Sequence, residues 1–155
     1  MYSRERHPGP PRWSEGSLGY AGAGLNATGA GTLDSMKLNE RGYAHAQELI
    51  EDGHAVLDER DDWSEHRPST ATENQFIEEH GISEYGKWHL GIDEKKDKET
   101  KGRYKFPYGD FVNVHRCAVL AAESRAAQYD YIEIENASAH LHGMLETLKQ
   151  GAARR

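Results

Sequence analysis

The stretch from Gly102 to Leu148 constrains the fold more than any other part of the chain. It opens on K-G-R-Y-K-F-P-Y-G-D, an aromatic piece containing a proline. It continues through the alanine-rich V-H-R-C-A-V-L-A-A-E-S-R-A-A-Q and closes on I-E-I-E-N-A-S-A-H-L-H-G-M-L-E-T-L. Tyr104, Phe106 and Tyr108 alternate with the period of a strand. Pro107 cannot donate to a ladder, so this strand belongs at a sheet edge or is an extended strap. Asp110 stands where an N-cap would stand, and the spacing predicts a helix over 111–128. At about 100° per residue, Phe111, Val112, Val114, Cys117, Ala118, Val119, Ala121 and Ala122 spread over a wide apolar arc. This helix is expected at the centre, packed on more than one side. A following helix over 132–149 carries Ile134, Ala137, Leu141, Met144, Leu145 and Leu148 on a narrow stripe.

The remaining pieces have a modest core to share. The chain has 155 residues, of which 36% are hydrophobic and 29% charged. That composition fits a single small core. Residues 1–35 hold three prolines and a run of glycines without apolar period, the composition of a disordered arm. Regular patterning starts at Met36, which makes that residue a plausible true start. One globular domain is expected over 36–150, with a disordered tail over 151–155. Asn39 caps a helix over 40–52, with Leu38 and Tyr43 at staple spacing and Gly53 as its stop. Residues 55–57 suggest a short strand, and 58–68 a charged loop anchored by Trp63. Thr70 and Glu73 have capping-box spacing for a helix over 71–80, ended by Gly81. Trp88, Leu90 and Ile92 alternate, which gives a second strand and a hairpin partner for Tyr104–Tyr108. The fold class is therefore α+β and mainly helical: about four helices and a small hairpin around one core.

Composition also excludes some functions. No apolar run reaches the roughly 18–20 residues of a membrane span, and the N-terminus has no apolar core of a signal peptide. A lone cysteine, Cys117, forms no internal disulfide, which fits a reducing cytoplasm. The formal net charge of −7 argues against a nucleic-acid partner, which needs a basic face. No membrane partner is expected either.

Nine histidines raise the question of a metal. The chain has no H-E-x-x-H, no pair of cysteines and no two histidines at i, i+4. His140 and His142 point to opposite sides of a helix, about 200° apart. No metal ligand and no cofactor are assigned on this pattern. Cys117 reads as a small buried hydrophobe, not a nucleophile, because His115 would lie on a different side of the same helix. His115 and Arg125 fall inside the apolar arc, where polar groups need partners. With Asp110 they define a candidate polar pocket between the central helix and the aromatic strap; His140, Trp88 and Tyr108 are added as candidate ligand-binding residues around it. The more ordinary expectation is structural: Arg125 snorkels or pairs with a carboxylate, and His115 bonds to a backbone carbonyl. The aromatic set Trp63, Trp88, Tyr85, Tyr104, Phe106 and Tyr108 is expected to pack the core and the strap.

The run K-F-P-Y-G-D, then R-C-A-V-L-A-A, then I-E-I-E-N-A-S-A-H-L resembles a small helical module of uncharacterised bacterial proteins and of the ends of some tailed-phage head proteins. There an extended K-x-P piece leads to an alanine-rich helix and then to a helix with an H-L pair. The likeness covers about Gly102 to Leu148. Tyr108 stands where that module has a histidine or similar polar residue, and the glycine-rich linker between the helices is missing. The stretch from Met36 onward also resembles stand-alone bacterial proteins. The resemblance implies a packing or assembly module. Together with the absence of a complete catalytic constellation, it leads to the expectation of a non-catalytic protein-interaction or assembly module that self-associates, a homo-oligomer or a binder of another protein. The alternative is a small enzyme or a metal- or ligand-binding protein using a pocket around His115, Arg125 and Asp110.

Overall fold

The computed structural model describes residues 35–154; the N-terminal arm lies outside the described residues. The described part is α+β and mainly helical, with six helices, four of them of seven residues or more. In chain order they are β1 (Met36–Leu38), α1 (Glu40–Glu51), β2 (Ala55–Val56), α2 (Trp63–His66), α3 (Thr70–His80) and α4 (Ile82–Gly86). Then follow β3 (His89–Asp93), a 3₁₀ turn (Lys101–Arg103), β4 (Tyr104–Pro107), β5 (Val114–His115), α5 (Arg116–Gln128) and α6 (Ile132–Arg154).

The expected hairpin is present. β3 and β4 pair antiparallel, His89 opposite Pro107 and Ile92 opposite Tyr104. β1 adds a third strand on the other side of β3, Leu38 opposite Gly91. The order β1-β3-β4 leaves Pro107 on an edge strand, where its missing N–H costs no ladder bond. Helix α6 lies against β1 and β3, α1 against β3, and α5 against β4 and the length of α6.

Asn39 is the residue before α1, but its side chain caps nothing in that helix. Its amide instead donates to the carbonyls of Gly86 and His89, both at 2.9 Å, which ties the start of α1 to the central strand. Gly42, one turn on, permits the close approach: a Cβ there would overlap the carbonyl oxygen of His89. The cap of α3 is Ser69 in place of Thr70. Its Oγ accepts the Thr72 N–H at 3.1 Å, the ordinary N-cap bond to the third residue on.

The central helix begins later than its apolar pattern predicts. α5 starts at Arg116, not at Phe111. Two features stop it from starting earlier. Phe111 has φ +73°, a conformation a right-handed helix cannot hold. Val114 and His115 are extended and pair in parallel with Ala55 and Val56. Asp110 therefore caps a turn, not a helix: its Oδ1 accepts the N–H groups of Val112 and Asn113 at 3.0 and 2.8 Å. From Cys117 onward the expectation of an enclosed rod holds. Cys117, Ala118, Val119, Leu120, Ala122 and Ala126 are all buried. This part of the arc is covered by the chain's own α6, β4 and α2, whereas Val112, in the turn before the helix, is exposed. Helix α6 runs on to Arg154, through residues that the composition had assigned to a tail.

Candidate metal centre

The parallel pairing of β2 and β5 builds the site. Val56 lies opposite His115. Two residues further along each strand stand Asp58 and Cys117. Parallel neighbours leave a register running in the same direction, so these two side chains meet just where α5 begins. Asp58 Oδ1 accepts the backbone N–H of Cys117 at 2.7 Å. The residue before the helix, His115, offers α5 no side-chain cap. A carboxylate from a distant loop fills that role, where the positive end of the helix favours it.

The other oxygen of Asp58 is the focus of the cluster. His115 Nδ1 lies 2.7 Å from Oδ2, His66 Nδ1 at 2.8 Å and Cys117 Sγ at 3.1 Å. Cys117 Sγ and His66 Nδ1 are 3.8 Å apart. One ligand atom from each of Asp58, His66, His115 and Cys117 can be chosen so that all lie within 4.8 Å of one another. His115 Nε2 faces away, 2.8 Å from Asp110 Oδ2. Trp63 covers the site: its ring is 5.7 Å from that of His115, and it packs on Cys117 and Ala118. His66, on the short α2, is the exposed member, its side chain 36% accessible against 8% for His115. The guanidinium of Arg116 closes the back. It donates to the Asp58 carbonyl at 2.9 Å and to Glu146 on α6 at 2.7 Å.

Electrostatics separate the roles. Burial raises the proton affinity of Asp58, but the Cys117 N–H and the contacts from His115, the Cys117 thiol and His66 together outweigh it and hold the carboxyl down at about 2. Burial, then the hydrogen bond and charge of Asp58, push the Cys117 thiol far above its ordinary range. Asp110 resists burial in the same way as Asp58, through the N–H of Asn113, the His115 ring and the N–H of Val112, and stays below the usual carboxylate range. A buried thiol beside a carboxylate is a poor nucleophile, because the thiolate is the reactive form. His66 meets both Cys117 and Asp58 through the same nitrogen, Nδ1, whereas a base that activates a nucleophile is oriented through its second nitrogen.

The donor set fits a borderline transition ion. Carboxylate oxygen, two imidazole nitrogens and a thiol are the ligand types of zinc sites. The edges of a zinc tetrahedron are roughly 3.3–3.7 Å for bonds of about 2.0–2.3 Å. The three contacts to Asp58 Oδ2, at 2.7, 2.8 and 3.1 Å, are hydrogen bonds shorter than such an edge. The whole set lies within 4.8 Å, so an ion would replace those bonds with a small adjustment of the ligands. The contact from His115 Nε2 to a second carboxylate is the usual outer contact of a metal-bound histidine.

The residues singled out by sequence divide. His115 and Asp110 are brought together. Arg125 sits in the last turn of α5, roughly 14 Å along the helix from its start at 1.5 Å per residue, and is not in the cluster. His140 is exposed on α6, edge-on to Tyr43 with ring centres 6.1 Å apart. Trp88 and Tyr108 stack on each other in the core, and the Tyr108 hydroxyl donates to the Lys87 carbonyl at 2.6 Å. The sequence pattern points to neither Asp58 nor His66, and it gives Cys117 as a buried hydrophobe. The available signal was H-x-C at a strand-to-helix junction, with D-x₇-H in the preceding charged loop. His115 and Cys117 are two apart, which opposes them in a helix, but His115 is extended and only Cys117 is helical.

Comparison of the chain with protein-family models, with curated proteins and with solved structures finds no match. No helix among the described residues is long and apolar enough to cross a membrane.

Proposed function

We propose that this is a metal-binding protein with one zinc-type site made by Asp58, His66, His115 and Cys117. The observation that carries this reading is the convergence of three potential ligand atoms on Asp58 Oδ2, at 2.7, 2.8 and 3.1 Å. Such a set of soft and borderline donors disfavours magnesium and calcium, which take oxygen ligands. Four protein ligands fill a tetrahedron, the pattern of structural rather than catalytic zinc. In this role the ion fastens the loop carrying Asp58 and His66 to the start of α5. Protein purified without chelator and analysed for metal should contain about one zinc per chain, and cobalt added to stripped protein should give the absorption of a thiolate complex. A chain that retains no metal, and whose melting temperature does not move with added zinc, overturns the reading.

A second reading keeps the expectation of an interaction or assembly module. An open, mostly apolar cleft of about 570 Å³ lies between the end of α1, β2 and the last turns of α6, lined by Ile50, Ala55, Leu57, Met144, Leu148 and Ala152 among others. Apolar surface of this kind favours a partner. Light scattering after size exclusion tests self-association, and a monomer at all concentrations counts against it.

A further inference from the structure

We infer that Asp110 is the positioning residue of the proposed metal centre, and that the strap from Phe106 to Asn113 holds it against the back of His115. This rests on the metal-binding reading above. The two oxygens of Asp110 have separate tasks. Oδ1 is committed to the turn through Val112 N and Asn113 N. Oδ2 is aimed at His115 Nε2, 2.8 Å away. An imidazole has one proton to place when neutral. A carboxylate oxygen at Nε2 accepts that proton when an ion takes the place of the hydrogen bond between Nδ1 and Asp58, so that the Nδ1 lone pair can ligate. Without Asp110, the Nε2 proton would lose the carboxylate that accepts it in this tautomer.

The strap is built with some strain to reach this arrangement. Phe106 and Phe111, on either side of Asp110, both have positive φ, +61° and +73°, which is uncommon for non-glycine residues and unfavourable for bulky ones. Both are held by their rings: Phe106 is buried, and Phe111 stacks on Phe76 with centres 4.3 Å apart. Gly109 has no room for a side chain, since a Cβ would lie 2.5 Å from the Asn113 carbonyl oxygen and 2.7 Å from the Trp88 ring. The His115 N–H donates back to the Tyr108 carbonyl at 3.0 Å. The ligand and its orienting acid are thus fixed to each other by backbone as well as by side chains.

The test compares zinc affinity, by competition with a chromophoric chelator, in full-length wild type, Asp110→Asn and Asp110→Ala. Asparagine keeps the carbonyl that accepts Val112 N and Asn113 N, but it can present an amide donor to Nε2. A positioning role therefore predicts that Asp110→Asn weakens zinc binding about 10–100-fold, and that its cobalt spectrum shifts while the melting temperature of the metal-free protein stays near wild type. Long-range nitrogen NMR of zinc-loaded wild type should show the His115 proton on Nε2 and the metal on Nδ1, and in zinc-treated Asp110→Asn that pattern should be lost. Zinc affinity of Asp110→Asn equal to wild type, with only Asp110→Ala destabilised, overturns the inference and leaves Asp110 as a turn former. A wild type that binds no zinc or cobalt overturns the metal reading itself, and is seen in the first arm of the titration.

Discussion

Asp58 and Cys117 stand 59 positions apart, yet one carboxylate oxygen of the first accepts the backbone N–H of the second at 2.7 Å, while the other lies 3.1 Å from its sulfur. A single side chain thus serves the end of a helix and the centre of a ligand cluster. Its removal should be felt in both. Asp58→Ala is expected to destabilise the metal-free protein by about 3 kcal/mol or more, because it strips a cap and leaves buried polar partners unpaired. Glu59→Ala, one residue along and exposed, should change stability by no more than about 0.5 kcal/mol. Urea unfolding of the two variants side by side measures the difference.

Cys117→Ser separates the sulfur from the fold. Serine keeps a hydroxyl donor for Asp58 in a similar volume, so the metal-free protein should lose only about 1 kcal/mol. The variant should lack the cobalt–thiolate absorption of wild type and bind zinc more weakly. Titration followed by absorbance, with a thermal melt of each form, checks both halves.

Chelation should loosen one segment. Asp58 and His66 belong to a loop whose attachment to α5 runs through the cluster, through Trp63 and through Arg116. Metal binding to such a site contributes directly to local stability. Stripped protein is expected to be cut by trypsin after Arg60 several-fold faster than zinc-loaded protein. Cleavage sites inside α5 and α6 should keep their rates. Mass spectrometry of the fragments over time reads the contrast.

Acid should destabilise the protein in two steps. His89 is buried in the sheet, where burial lowers its proton affinity to about 3 in spite of the hydrogen bond from its ring to the Tyr85 carbonyl. The unfolded chain takes up that proton near pH 6.5 and the folded chain does not. Stability is therefore complete above pH 6.5 and falls as the pH drops toward 3, at up to about 1.4 kcal/mol per pH unit. Asp58 has the same sign in a lower window: its contribution is complete above the ordinary carboxylate pKa of 3.8 and is lost as the pH falls through about 2. Chemical denaturation of the metal-free protein at several pH values should show the first slope, and His89→Gln should flatten it between pH 6.5 and 3.

Much of the frame was legible because it is local. The stripe of α6, the start of α1 and the alternation of β3 and β4 each follow from spacing inside one element. The site was not, for two physical reasons. Its ligands come from two segments brought into register by the parallel pairing of two-residue strands, Ala55–Val56 with Val114–His115, and so short a strand leaves no period to read. The apolar arc also extends past the true start of α5, since Phe111 and Val114 are apolar for reasons other than helix packing: one stacks on Phe76, and the other pairs with Ala55. Reading them as helix turned His115 and Cys117 away from each other. Asp110 and His115, both named for a polar pocket on a helix, do meet at 2.8 Å, but through a turn and a strand, and Arg125 is not with them.

Gly42 has a consequence beyond its own contact. The helix it belongs to is pressed onto the middle strand until main chain meets main chain, and Asn39 bolts down the same end with two bonds. Even a methyl group at position 42 would act as a wedge there, prising the two apart and drawing both bolts at once. Drift at this position should therefore be tolerated far less than at the roomy Gly143 or Gly151. Any distant cousin of this chain that carries a larger residue there must have re-seated its first helix.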